Sequence, residues 1–194
     1  MADGKVACKH LVLVHGACIG GWSYFKVAAR LRSAGYRVTA PDLGASGVDP
    51  RPLREFIEGK WLDWMDTEFK PQDAEGKLPT SMLFGPQIAQ ERLMQLCSPE
   101  DVTLAGSLLR VSSMFVEDLQ KQQPFTEGRY GSVRKVYVVV NQDLAIPEGF
   151  QRWMIGNSPP VDEVKEIDAA DHLVMLSRPD ELARCLADIA ESYA

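Results

Sequence analysis

Long apolar runs are missing from this chain of 194 residues. No stretch reaches the roughly 18 apolar residues that a bilayer-spanning helix requires. The first apolar run, Leu11 to Val14, is too short for the core of an export signal. Basic charge is also in short supply: 21 Lys and Arg stand against 27 Asp and Glu, a net charge of −6. That balance argues against a nucleic-acid partner, whose phosphates demand a basic face, and against an anionic membrane surface. The four cysteines, Cys8, Cys18, Cys97 and Cys185, form no C-x-x-C pair, and only three histidines are present. Neither pattern suits a structural zinc site, so no metal is expected. Without an export signal, reduced thiols and a cytoplasmic location are the expectation. Repeats and low-complexity tracts are absent. Hydrophobic residues make up 45% and charged residues 25% of the chain, a folded composition rather than a disordered one. Its length suits a single domain spanning 1–194.

The pattern that is present alternates strand and helix. Leu11-Val12-Leu13-Val14, closed by His15-Gly16, reads as a strand buried on both faces. Val27, Leu31 and Ala34 recur at helical spacing within 22–34, and Gly35 sits where a C-cap glycine belongs. Tyr36 to Ala40 forms a second strand, stopped by Pro41. Together these are a βαβ unit with parallel strands. Residues 42–85 carry Gly, Pro, Asp and Lys punctuation and show no readable central strand. Ile88 to Cys97 reads as a helix. Ser98-Pro99-Glu100-Asp101 carries a capping hydroxyl, a first-position proline and first-turn acids, starting a helix that runs to about Arg110. Val136 to Val140 is a strand, 147–153 a short helix and Val164 to Ile167 the last strand. A terminal helix over Asp180 to Tyr193 stripes Leu182, Cys185, Leu186, Ile189 and Ala190 on one face. The sum is an α/β fold with a helical insertion.

Ligands of open α/β sheets bind beyond the carboxyl ends of the strands. Three sequence positions lie there: His15-Gly16-Ala17-Cys18 after the first strand, Asp143 after Val140, and Asp171-His172 after Ile167. An acid and then a histidine, each just past a strand, match the second half of a Ser…Asp…His order. In that arrangement His172 moves the proton, and Asp143 holds the imidazole and stabilises its cation. Backbone amides after Gly16 would face a developing oxyanion. His15 by itself reads as a structural residue at a strand-to-turn junction.

The segment His10-Leu11-Val12-Leu13-Val14-His15-Gly16-Ala17-Cys18-Ile19-Gly20-Gly21-Trp22 resembles the opening of the plant methylesterases, with the hydroxynitrile lyases as cousins. Collinear matches follow at Asp42 to Gly47, Thr80 to Pro86, Leu96 to Asp101, Arg129 to Val133, Phe150 to Trp153 and Ala170 to His172. The resemblance implies an α/β-hydrolase-like parallel sheet with a helical lid at about 56–125. It further implies Asp143 and His172 as triad members, the Ala17 amide as an oxyanion donor, and Trp64, Phe69 and Met82 as substrate-binding residues of the lid or pocket. The implied substrate is a small methyl ester of the methyl salicylate or methyl jasmonate type, cleaved without a cofactor. The lyases resemble Thr where this chain has Gly16, and place Lys where it has Leu173, so the pocket reads as the esterase kind.

One family feature has no counterpart. The family's Gly-His-Ser-x-Gly-Gly is missing, and no G-x-S-x-G occurs anywhere in the sequence. The shortfall falls between about Arg54 and Phe56, where the resemblance jumps from the loop after the second strand to the lid. The lost stretch would carry central strands and the nucleophile elbow. The expectations are an inactive or nearly inactive chain, a non-catalytic binder of small acids as the alternative, and self-association through open sheet edges. Cys18 lies beside the oxyanion turn, but a buried cysteine there reads as packing rather than as a replacement nucleophile.

Overall fold

A computed structural model of the chain describes residues 9–42, 64–70, 81–113, 121, 123, 126–157 and 160–193. The Arg54–Phe56 junction and both limits of the 56–125 segment lie outside these residues. In chain order the elements are β1 (His10–Val12), α1 (Phe25–Ser33), β2 (Arg37–Thr39), β3 (Glu68–Lys70), β4 (Ser81–Leu83), α2 (Pro86–Ile88, continued by a π-turn through Leu93), α3 (Pro99–Leu108), β5 (Ser112–Ser113), β6 (Val136–Val140), α4 (Glu148–Asn157), β7 (Glu163–Ile167), α5 (Val174–Ser177) and α6 (Pro179–Ser192). No helix among the described residues is long and apolar enough to cross a membrane.

The parallel sheet comes in two pieces. β1 pairs with β2 from His10 opposite Arg37 to Val12 opposite Thr39. β6 pairs with β7 from Val136 opposite Glu163 to Val140 opposite Ile167. Among the described residues no ladder joins the two pairs. The first strand therefore departs from its sequence reading. Leu13 is 7% exposed, whereas Val12 and Val14 are 56% and 54% exposed. Those β-branched side chains suit a doubly covered strand, and on that side of β1 the described residues supply no cover. The insertion differs as well. β3, β4 and β5 form a small antiparallel sheet, so the segment expected to be a helical lid holds strands beside its helices. The helix expected over Ile88 to Cys97 shrinks to one turn that widens into a π-turn and ends at Leu93.

Local chemistry accounts for the remaining boundaries. α1 closes in a Schellman motif: Tyr36 N–H donates to Leu31 O and Gly35 N–H to Arg32 O, each at 3.0 Å. Gly35 takes the left-handed φ of 92° that this motif demands. α3 starts on Ser98, whose hydroxyl accepts the Asp101 amide at 3.2 Å. Asp66 receives the Gln87 and Ile88 amides at 2.8 and 2.9 Å and so starts α2. The Ile88 amide, then that of Gln87, holds the Asp66 carboxyl below the usual carboxylate range.

The two half-sheets are held together through helices. α1 buries Val27, Ala28 and Leu31 in a cluster shared with Ile167 of β7, Met175 and Leu176 of α5, and Leu182 and Ala183 of α6. Lys9 Nζ adds a 2.7 Å ion pair to Glu191, and Arg30 pairs with Asp180. Both pairs lie at the surface and add little. The apolar cluster therefore carries the connection. Leu31 is 1% exposed at its centre. We expect Leu31→Ala to lower unfolding free energy by about 2–5 kcal/mol in urea denaturation followed by circular dichroism. A loss below about 1 kcal/mol, typical of surface sites, would contradict this account of the junction.

Candidate active site

Asp143 and His172 leave the sheet from adjacent strands. Because β6 and β7 run parallel and in register, both loops emerge at the same end. They are then tied to each other. Gln142 N–H donates to Ala170 O at 3.1 Å. Asn141 donates through Nδ2 to Asp168 at 2.6 Å and accepts the Ala169 amide at 2.9 Å. The result is a contact of 2.9 Å between His172 Nδ1 and Asp143 Oδ2.

The electrostatics of that pair are directional. Asp143 is 5% exposed, and its other oxygen accepts the Ala145 and Ile146 amides, each at 2.8 Å. A carboxylate held this way only accepts, so the imidazole hydrogen lies on Nδ1. The Nε2 atom takes no part in this contact. No hydroxyl or thiol among the described residues hydrogen-bonds to it. His172 is also braced on both sides. Asp171, fully buried, accepts the Leu96 amide at 2.9 Å, and Leu173 N–H donates to Leu93 O at 3.2 Å. The loop bearing His172 is thus docked on the segment after β4.

The turn after β1 carries Ala17. Its neighbour Cys18 adopts a left-handed φ of 60°, uncommon for a residue with a Cβ and frequent at functional turns. The Cys18 carbonyl accepts the Arg110 amide at 3.1 Å, and its thiol donates to Met82 O at 3.5 Å. Among the described residues the Ala17 amide makes no hydrogen bond. His15 is buried, with Nδ1 2.9 Å from Gly16 O, in keeping with a structural role in the turn. Phe69 lies opposite Met82 in the β3–β4 ladder, and Trp64 meets Phe69 edge-on, ring centres 5.3 Å apart. So Trp64, Phe69 and Met82 form one apolar group, linked to the Ala17 turn through Cys18. A cavity of about 160 Å3 beside the turn at Tyr130–Ser132 holds none of the expected site residues.

Nothing in the sequence marks Asn141 and Asp171 as the side chains that tie these loops down. Asn141 follows β6 directly, where a side-chain amide can bridge neighbouring loops, and that position was the only available signal. Asp171 stood next to His172 in plain view, but its full burial could not be read from the chain.

An acid and a histidine in contact beyond the carboxyl ends of two parallel strands are the arrangement of the α/β-hydrolase class. No family model matches the chain. Individual proteins do. Salicylic acid-binding protein 2 of Nicotiana tabacum is 38% identical over 256 aligned positions, covering 95% of this chain and 98% of that protein. Methyl jasmonate esterase 1 of Vitis vinifera is 33% identical, covering 96% and 98%. A crystal structure of polyneuridine aldehyde esterase superposes with a TM-score of 0.81 at 31% identity, covering 94% and 99%. The chain belongs to the plant methylesterase family. An alignment of 256 positions against 194 residues leaves at least 62 positions of the tobacco protein without a counterpart here.

Burial pushes the Cys18 thiol up from its ordinary value, with the Phe84 and Ser112 backbone opposing it only partly. A raised thiol pKa means less thiolate at neutral pH, and attack requires the thiolate. At pH 7.5, alkylation of Cys18 by iodoacetamide, followed by peptide mass spectrometry, should run at least ~10-fold slower than that of free cysteine. Labelling as fast as free cysteine would overturn the packing role of Cys18.

Proposed function

We propose that this chain recognises small methyl esters of aromatic or lipid-like acids, or the freed acids. On this reading it keeps the proton-handling half of a Ser-His-Asp ester hydrolase and lacks the attacking serine. The carrying observation is the Asp143–His172 contact, which leaves Nε2 out of it, in a chain with no G-x-S-x-G. In the complete reaction a serine oxygen attacks the ester carbonyl while His172 Nε2 takes its proton. Asp143 holds the resulting imidazolium, and the Ala17 amide donates to the oxyanion. His172 then returns the proton to the departing methoxide, which leaves as methanol, and a water that gives its proton to His172 splits the acyl-serine to free acid and serine. Asp143, His172, Ala17 and the apolar trio supply each of these parts except the nucleophile.

At least 62 positions of the tobacco protein lack a counterpart in this chain, which is room enough for the loss of an elbow segment near Arg54–Phe56. The separated β1–β2 and β6–β7 pairs support the same reading, since central strands would lie between them. Loss of the nucleophile alone costs on the order of 10^6 in kcat in a serine hydrolase. The nearest thiol to the turn, Cys18, is buried and donates to a carbonyl rather than to His172. Ester turnover is therefore abolished or close to it.

A second reading is favoured by the same open groups. A carboxylate could accept from the Ala17 amide and from a protonated His172 while its apolar body rests on Trp64, Phe69 and Met82. This is a binder of small acids that performs no chemistry. Besides a small acid, the reading allows a second copy of the chain, paired through the edge of β1 that no strand among the described residues covers.

Purified protein should hydrolyse methyl salicylate and methyl jasmonate no faster than its His172→Ala variant, followed by gas chromatography of the esters. Turnover above that of the variant would overturn the loss of the nucleophile. In calorimetry, saturable heat with salicylate supports the binding role; no heat from a folded sample removes it.

A further inference from the structure

We propose that Gln151 is a positioning residue for the acid–base pair: its buried side-chain amide locks the loop that aims Asp143 at His172. This rests on Asp143 and His172 being that pair, as set out above.

Gln151 lies in α4 and is 2% exposed, an unusual place for an uncharged amide. Burying such a group costs free energy unless its polar atoms are paired. All of them are. Oε1 accepts the Val140 amide at 3.0 Å, and Nε2 donates to Val140 O and Ile146 O, each at 2.8 Å. The orientation is unambiguous, because two carbonyls need the two amide hydrogens and one N–H needs the oxygen.

Its partners give the arrangement its consequence. Val140 is the last residue of β6, and Gln151 pairs its N–H and C=O as a neighbouring strand would. Ile146 is gripped from two directions: its carbonyl by Gln151 and its amide by Asp143 Oδ1, 2.8 Å away. α4 is anchored to the same loop by the Phe150 and Gln151 amides, which donate to Pro147 O at 2.8 and 3.1 Å. A continuous path therefore runs from the Gln151 amide through Ile146 to Asp143, and from Asp143 Oδ2 to His172. Gln151 touches no substrate in this scheme. It acts by fixing the loop whose amides orient the carboxylate.

A residue that only filled the core would lower stability on replacement and leave the imidazole hydrogen bond intact. Gln151→Met keeps the length and removes all three polar contacts. The readout is the proton resonance of His172 Nδ1–H, identified by its loss in His172→Ala. We expect a hydrogen-bonded, low-field signal in the unaltered protein. In Gln151→Met it should shift upfield or vanish by exchange, at a temperature where the circular dichroism is unchanged. An unaltered signal in a folded Gln151→Met protein overturns the role of Gln151. Absence of the signal in the unaltered protein overturns the reading of the pair itself. Should Gln151→Met not fold, hydrogen exchange in the unaltered protein decides. Val140 and Ile146 amides should exchange at least ~10-fold more slowly than that of Leu144 in the same loop. Equal rates overturn the proposal.

Discussion

Parallel pairing of β6 with β7 sets two strand ends side by side, and the Asp143–His172 contact depends on it. Five matched residue pairs bring Val140 level with Ile167, and the loops that follow diverge from one point. A hydrogen bond of 2.9 Å between side chains 29 residues apart needs that alignment, plus the Asn141 and Gln142 bonds that stop the loops from separating. One ordinary ladder thus converts two distant polar residues into a unit with a defined tautomer. The unit persists although the two halves of the sheet share no ladder among the described residues.

What joins the halves is apolar and helical. α1 belongs in sequence to the β1–β2 pair, yet its inner face shares a buried cluster with α5, α6 and β7. Two-stranded sheets are marginal by themselves, so each pair relies on helices packed against it. The arrangement leaves Val12 and Val14 uncovered, side chains suited to a strand with neighbours on both sides. It also explains how the carboxyl end of β6 stays ordered, since a glutamine amide occupies backbone positions that a further strand could have filled. The polar groups around Asp143 are satisfied locally, without help from the other half of the sheet.

Much of this was legible from the chain. Val136 to Val140 is a strand within its expected limits, and Gly35 and Ser98 end and start helices by the chemistry their positions announce. Asp143 and His172 could be paired because each follows a strand at the same end of a parallel sheet. Long-range context decides the remaining elements. The four-residue run at Leu11 has the composition of a doubly buried strand, but burial depends on neighbours that the described structure does not supply. β3 to β5 are two or three residues long, too short for a period-two pattern to emerge from a Gly- and Pro-punctuated stretch. The widening of α2 into a π-turn is another case, since helical periodicity cannot reveal where a later loop will dock. Gln151 and Asp171 look like ordinary polar residues until the fold surrounds their side chains, with Val140 and Ile146 for the first and Leu96 and Cys97 for the second.

The most direct test uses a reagent that reacts with an activated nucleophile and nothing else. A fluorophosphonate phosphonylates a serine whose proton a neighbouring histidine can accept, fluoride leaving, and intact-protein mass spectrometry reads the adduct. The account predicts an unchanged mass after prolonged exposure of the folded protein. A single adduct on a hydroxyl or thiol, lost in His172→Ala, would contradict it and locate the attacking atom.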